Sequence, residues 1–252
     1  MFFCLAEWLY LTKFNERHVL LDLVQDKYIM LEEEYSTVLT FLLNHKFALN
    51  RDGEPEVITE VRLPSKFQEI SKEFIDAGYV NLSKVPFKKK SCAKANILPL
   101  TGAAIVDWKI PLWSLEQKAY FKDIVIAFLM LIKFQFILRF RGMFYMIKRL
   151  QKIASNAKNV EFATDIEKLN RLVVALNRTC LYFPKQIKCL EWSYCLVSMA
   201  LQRRIKCNLV IGLQLPPFIA HAWVEINDNV IADSPTLPDE LAIILREPFA
   251  KS

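Results

Sequence analysis

A chain of 252 residues, 53% of them hydrophobic, is long enough for one large domain or two smaller ones with a substantial core. Its net charge of +6 is too modest, and too free of nucleic-acid motifs or zinc-finger spacing, for nucleic-acid binding. Six cysteines (Cys4, Cys92, Cys180, Cys189, Cys195, Cys207) at irregular spacing, with no Cys-x-x-Cys pair, exclude a disulfide scaffold and point to a reducing cytoplasm.

Met1 to Ala6 is apolar but lacks a basic flank and stops at Glu7, so it is not read as a signal. Residues 8 to about 83 form a unit of strands followed by helices. Val19–Val24 and Tyr28–Leu31 are β-rich runs separated by Gln25-Asp26-Lys27, a hairpin. Glu32 to Leu43 changes to helical spacing, with Glu32, Glu33 and Glu34 in a first turn that favours acids. A second helix starts near Ser65, with Phe67, Ile70, Phe74 and Ile75 on one face. Gly78 stops it before a short strand over Tyr79–Leu82. Residues 84 to 115, with Lys88-Lys89-Lys90, Pro86, Pro99, Gly102 and Pro111, have little periodicity and read as a linker.

Leu115 to Leu150 is a strongly apolar helix. Lys133, Gln135, Arg139 and Arg141 interrupt it, whereas a membrane span needs about 20 largely uncharged residues, so it is expected as a core or interdomain helix, with contact at a membrane surface the second reading. Asp165 to Asn177 is amphipathic and should pack beside the next helix, Leu190 to Leu201, which is apolar nearly all round. Cys189 opens that helix, where free N–H groups and the macrodipole favour a thiolate; Lys185 and Lys188 act in the same direction. Cys195 and Cys207 read as inert, buried thiols.

Cys207–Leu213 is expected as the first strand of a sheet, followed by strand, turn and strand over 216–235. If Asn227 to Asn229 make a three-residue loop, Ile226 faces Val230, and His221 and Asp233 share a face; a two-residue loop would separate them. A cysteine at a helix start with such a His–Asp pair has the layout of a thiol hydrolase: Cys189 attacks, His221 takes its proton, and Asp233 holds the ring. The Cys189 N–H is the first oxyanion donor to consider, and Gln186 a second.

Cys189-Leu190-Glu191, Leu209–Gly212, Pro217-Phe218, His221–Glu225 and Val230–Pro235, with the intervals between them, resemble the transglutaminase-like leader peptidases of lasso-peptide biosynthesis, the B proteins of microcin-type maturation. The order of elements in the first 84 residues, ending in Asp76-Ala77-Gly78-Tyr79-Val80, resembles the PqqD-like winged-helix element that binds leader peptides as an added strand. Together these imply an α+β chain: a PqqD-like recognition element at 1–84, a linker at 85–114, and a transglutaminase/papain-like cysteine peptidase domain at 115–252.

The resemblance implies a cytoplasmic peptidase that removes the leader from a ribosomally made precursor, using Cys189, His221 and Asp233. The implied partners are that precursor and an asparagine-synthetase-like lasso cyclase. No nucleotide motif occurs, so no cofactor is expected on this chain and any ATP dependence should come through the cyclase. Neither nucleic-acid nor membrane contact is expected. Two other functions fit the same residues: a non-catalytic leader-binding chaperone with a vestigial triad, and an acyl transferase in which an amine replaces water.

Overall fold

In a computed structural model the chain divides into two compact units, Met1–Ser91 and Cys92–Ser252. The structure describes residues 1–14, 17–49, 55–57, 64–87, 113–156, 162–215 and 218–249. Most of the segment read as a linker, with Lys88-Lys89-Lys90, Pro99, Gly102 and Pro111, lies outside these residues, as do Cys92 and Pro217.

The first unit begins with strand β1 (Phe2–Leu5), in the apolar run that the sequence left unassigned. Alternation puts Phe3 inward, where it is buried. Strands β2 (Leu9–Phe14), β3 (Arg17–Asp22) and β4 (Lys27–Met30) form an antiparallel sheet in the order β2-β3-β4. The β3–β4 turn is built locally: the Asp22 carboxylate accepts the N–H groups of Val24 and Gln25 at 2.9 and 3.0 Å, and Asp26 takes a positive φ of 53°. Helix α1 (Glu33–Asn44) follows, then the short pair β5 (Phe47–Leu49) and β6 (Pro55–Val57). Helix α2 (Ser65–Asp76) ends at Gly78, whose φ of +70° lets the Tyr79 N–H reach back to the Phe74 carbonyl at 3.0 Å. Strand β7 (Val80–Ser83) then pairs antiparallel with β1. The core joins Leu11 and Leu20 of the sheet to Val38, Leu39 and Leu42 of α1 and Ile70 and Phe74 of α2.

Among the described residues the second unit starts with the four-residue helix α3 (Trp113–Glu116), and the long helix α4 runs over Phe121–Asn156. The apolar stretch is therefore not one helix from Leu115. It starts at Phe121, and Gly142 breaks it with φ +71° and ψ −179°, a conformation only glycine adopts without strain. Helix α5 (Ile166–Tyr182) is capped by Asp165, whose side chain accepts the Lys168 N–H at 2.9 Å. Helix α6 (Cys189–Gln202) is buried from Glu191 to Leu201. The sheet comprises β8 (Asn208–Gln214), β9 (Ile219–Ile226), β10 (Asn229–Ile231) and β11 (Ala242–Glu247), in the antiparallel order β10-β9-β8-β11. The one-turn helix α7 (Leu237–Glu240) precedes β11. Strand β8, first in chain order, is thus central in the sheet.

The hairpin register differs from expectation. Asn229 faces Ile226, Val230 faces Glu225 and Ile231 faces Val224, so the loop is the two residues Asn227-Asp228, with φ of 48° and 65°. Positive φ at both positions matches the right-handed twist of the strands, and Asn and Asp tolerate it. No helix among the described residues is long and apolar enough to cross a membrane.

Candidate active site

A two-residue loop followed by a regular strand would put Asp233 on the face opposite His221. That does not happen, because β10 ends at Ile231 and Ala232 takes a left-handed φ of +58°. The chain swings out of the ladder there, and the Asp233 Oδ2 atom comes within 2.8 Å of His221 Nε2. The other Asp233 oxygen accepts the Ser234 N–H at 2.8 Å, which fixes the carboxylate plane. His221 is buried in β9, opposite Gly212 of β8.

The early end of β10 also shapes the place of the thiol. Backbone groups of a strand residue point to one side, and Val224 and Ile226 use theirs on the β10 side. Ala222 points the same way but has no β10 residue to meet. Its carbonyl accepts the Ser193 hydroxyl of α6 at 3.0 Å, and its N–H donates to the Cys189 sulfur. The start of α6 therefore docks where the ladder stops, beside His221. With Nε2 engaged by Asp233, Nδ1 is the ring nitrogen left for the sulfur.

Burial pushes the Cys189 thiol up. Hydrogen bonds from His221 and from the Ala222 and Leu190 N–H groups, with the charge of His221, outweigh it and hold the thiol below its ordinary value. Burial likewise disfavours a charged imidazole, but hydrogen bonds to Asp233 and Cys189, and their negative charge, raise His221 to about 9. Both shifts favour a thiolate beside an imidazolium, a nucleophile with its proton donor alongside.

Cys195 and Cys207 are buried as expected, and burial drives both thiols well above the ordinary range; it also pushes Cys180 up to about 12. Lys185 acts differently from the expectation. Lys185 is 3.2 Å from the Glu191 carboxylate and 2.9 Å from the Gln135 amide oxygen, so its charge serves the buried Glu191. Glu191 accepts the Lys188 N–H at 2.8 Å and the Gln135 amide at 2.9 Å, which ties the first turn of α6 in place. Gln186 is exposed in the segment before α6. No group of three or more His, Cys, Asp or Glu among the described residues could hold a metal ion.

Sequence reasoning missed the support behind the histidine. Trp223, two residues on and on the same face, lies with its ring nearly parallel to the imidazole, at 16° and 6.3 Å between centroids. Its indole N–H donates to Glu225 at 2.8 Å, and Glu225 pairs with the buried Arg246 of β11. Trp223 has room only because residue 212 is glycine: a Cβ there would lie 2.7 Å from the indole ring. Alternation of His221, Trp223 and Glu225 along one strand was the available signal.

The second unit has an α+β architecture with a transglutaminase-like region: residues 128–246 match the model of the transglutaminase-like superfamily. Over 56 residues the chain is 43% identical to the microcin J25-processing protein McjB of Escherichia coli, a match covering 22% of this chain and 27% of that protein. No solved structure matches.

Proposed function

We propose that the chain is a cysteine peptidase that removes the leader from a lasso-peptide precursor. The observation that carries this reading is His221 bridging Asp233 and Cys189 at the start of a buried helix. The 43% identity over 56 residues to a microcin J25-processing protein supports the substrate class. The thiolate of Cys189 attacks the scissile carbonyl carbon, and the carbonyl oxygen takes up the negative charge. The Cys189 N–H, unused by the helix at its first position, is the oxyanion donor we favour over Gln186. As the C–N bond breaks, the His221 imidazolium gives its proton to the departing amine, leaving a thioester. His221, now neutral, takes a proton from water, and the hydroxide equivalent releases the acid and the thiol. Asp233 holds the ring in the tautomer this exchange needs.

The first unit is, in this reading, the PqqD-like recognition element. Its sheet ends at β4, whose outer edge offers backbone groups to a leader laid down as a further strand. The freed core peptide would pass to an asparagine-synthetase-like cyclase, the partner through which ATP enters. Incubation of the purified chain with a lasso precursor, followed by mass measurement, tests the reading. Leader and core masses that add up to precursor plus one water, and an intact precursor with Cys189→Ala, are the expected results. Products carrying an added amine in place of water, or unchanged cleavage by Cys189→Ala, would overturn it.

A further inference from the structure

The side of α4 turned away from the core is unusual. Between Phe121 and Arg141 every exposed position is Phe, Val, Leu, Lys or Arg: Phe121, Lys122, Val125, Phe128, Leu129, Lys133, Phe136, Arg139, Phe140 and Arg141. The inner face is apolar as well, with Ala127, Leu131, Phe134 and Ile137 buried, so the outer row is not the consequence of a helix turned the wrong way. The row is about 28 Å long at the helical rise. Phe121 is 80% exposed, Phe140 72% and Phe136 60%, and Phe136 and Phe140 stack on each other in solvent. Two turns into the row Phe128 meets Phe183 edge-on, which joins it to the exposed Leu181 and Tyr182. A continuous apolar strip of this size on a surface is a binding face.

We infer that this face of α4 docks on an anionic lipid bilayer, lying in the headgroup layer rather than crossing it. Three features favour that occupant. Lys122, Lys133 and Arg139 have no salt bridge to a carboxylate among the described residues, and the one acid at this end of the helix, Asp123, is engaged by Arg203. The face therefore presents uncompensated positive charge beside bulky rings, the pattern of an interfacial helix. Between Phe121 and Arg141 no exposed position carries a hydroxyl, amide or carboxylate with which to fix the register of a protein partner; fluid lipid requires none. A second copy of the chain would bring the same cations together with no acid to meet them. This inference does not depend on the peptidase reading.

Flotation of the full-length protein with vesicles tests it. Vesicles containing about one third phosphatidylglycerol in phosphatidylcholine should retain the protein, pure phosphatidylcholine should retain at least about tenfold less, and added salt should release it. Phe136→Ser/Phe140→Ser and Lys133→Glu/Arg139→Glu should each reduce retention by about tenfold or more while leaving the circular dichroism spectrum unchanged. Failure to bind the anionic vesicles, or binding indifferent to both variants, overturns the assignment. Self-association in sedimentation that the Phe136→Ser/Phe140→Ser change abolishes, with no vesicle binding, would give the face to a second copy instead.

Discussion

Cys189 and His221 titrate as a pair, and their opposite shifts define where the chemistry runs. The thiol is held below its ordinary value, so activity should rise with pH as the pair forms; His221 sits at about 9, so activity should fall as pH passes that region and the leaving-group acid is lost. A pH–rate profile with a plateau between these limbs is expected. Asp233→Asn removes the largest influence that raises His221, so the alkaline limb should move to lower pH along with a loss in kcat. An unmoved limb would remove Asp233 from the site. Cys189→Ala should cost on the order of 10⁴-fold or more with the fold intact, because only a sulfur at a helix end is lost. Ala232 sets up the pair without touching it. Its left-handed backbone costs an L-residue about 1–2 kcal/mol, which glycine would relieve, while the added freedom of glycine in the unfolded chain costs about 0.5–1 kcal/mol. Ala232→Gly should therefore be nearly neutral in a melting curve, whereas Ala232→Val, β-branched at positive φ, should displace Asp233 and lower kcat.

The elements around the site differ in how far their sequence announced them. Helix α6 was legible because a run of apolar residues without Gly or Pro has few alternatives, and the position of Cys189 at its start follows from the residues before it. The pairing of His221 with Asp233 was legible for the wrong reason. Strand parity demanded a three-residue loop, yet the loop has two residues, and one left-handed alanine restores the face that parity would have lost. Propensity gives no sign of such a residue, since alanine rarely adopts it; only the fold around it makes the cost worthwhile. Strand β1 escaped notice because Phe2–Leu5 alternates weakly and owes its order to β7, more than 70 residues away. The break at Gly142 was visible as a glycine but not as a kink. Packing behind His221 makes a prediction at this scale. Gly212→Ala would set a Cβ against the indole of Trp223 and 2.8 Å from Leu241 Cβ, both in the buried core, so neither side can yield cheaply. A loss of about 1–3 kcal/mol in denaturant unfolding is expected, together with lower kcat, as Trp223 shifts against the imidazole. Unchanged stability would mean that the sheet opens there without strain. Asn177 holds a comparable place on the other side of α6. It accepts the Trp192 indole N–H at 2.7 Å and donates to Ser114 at 2.8 Å, so Asn177→Leu removes two buried hydrogen bonds and should cost more than its volume suggests.

Each of the two units has its own core, and that separation has a functional consequence. The first draws its core from residues 3 to 87, with Phe3, Leu20, Leu39 and Phe74 buried together; the second gathers its helices about α6 and the four-stranded sheet. A fragment of residues 1–91 should therefore fold by itself, with a cooperative thermal transition. If that unit takes the leader as an added strand, binding rests on backbone hydrogen bonds along the β4 edge and on a few side-chain pockets of the first unit, and not on Cys189, His221 or Asp233. The fragment should then bind leader peptide about as tightly as the full chain does, and Cys189→Ala should not weaken that binding. A proline placed in the middle of the leader should weaken it, since it removes a ladder N–H. The second unit alone should cleave only at high precursor concentration, because untethered substrate loses the effective concentration that a neighbouring binding site provides, commonly in the range of about 10²- to 10⁴-fold. Calorimetric titration of leader peptide against the fragment and the full chain separates the possibilities. Leader affinity found entirely in the second unit would leave the first 91 residues as structural support.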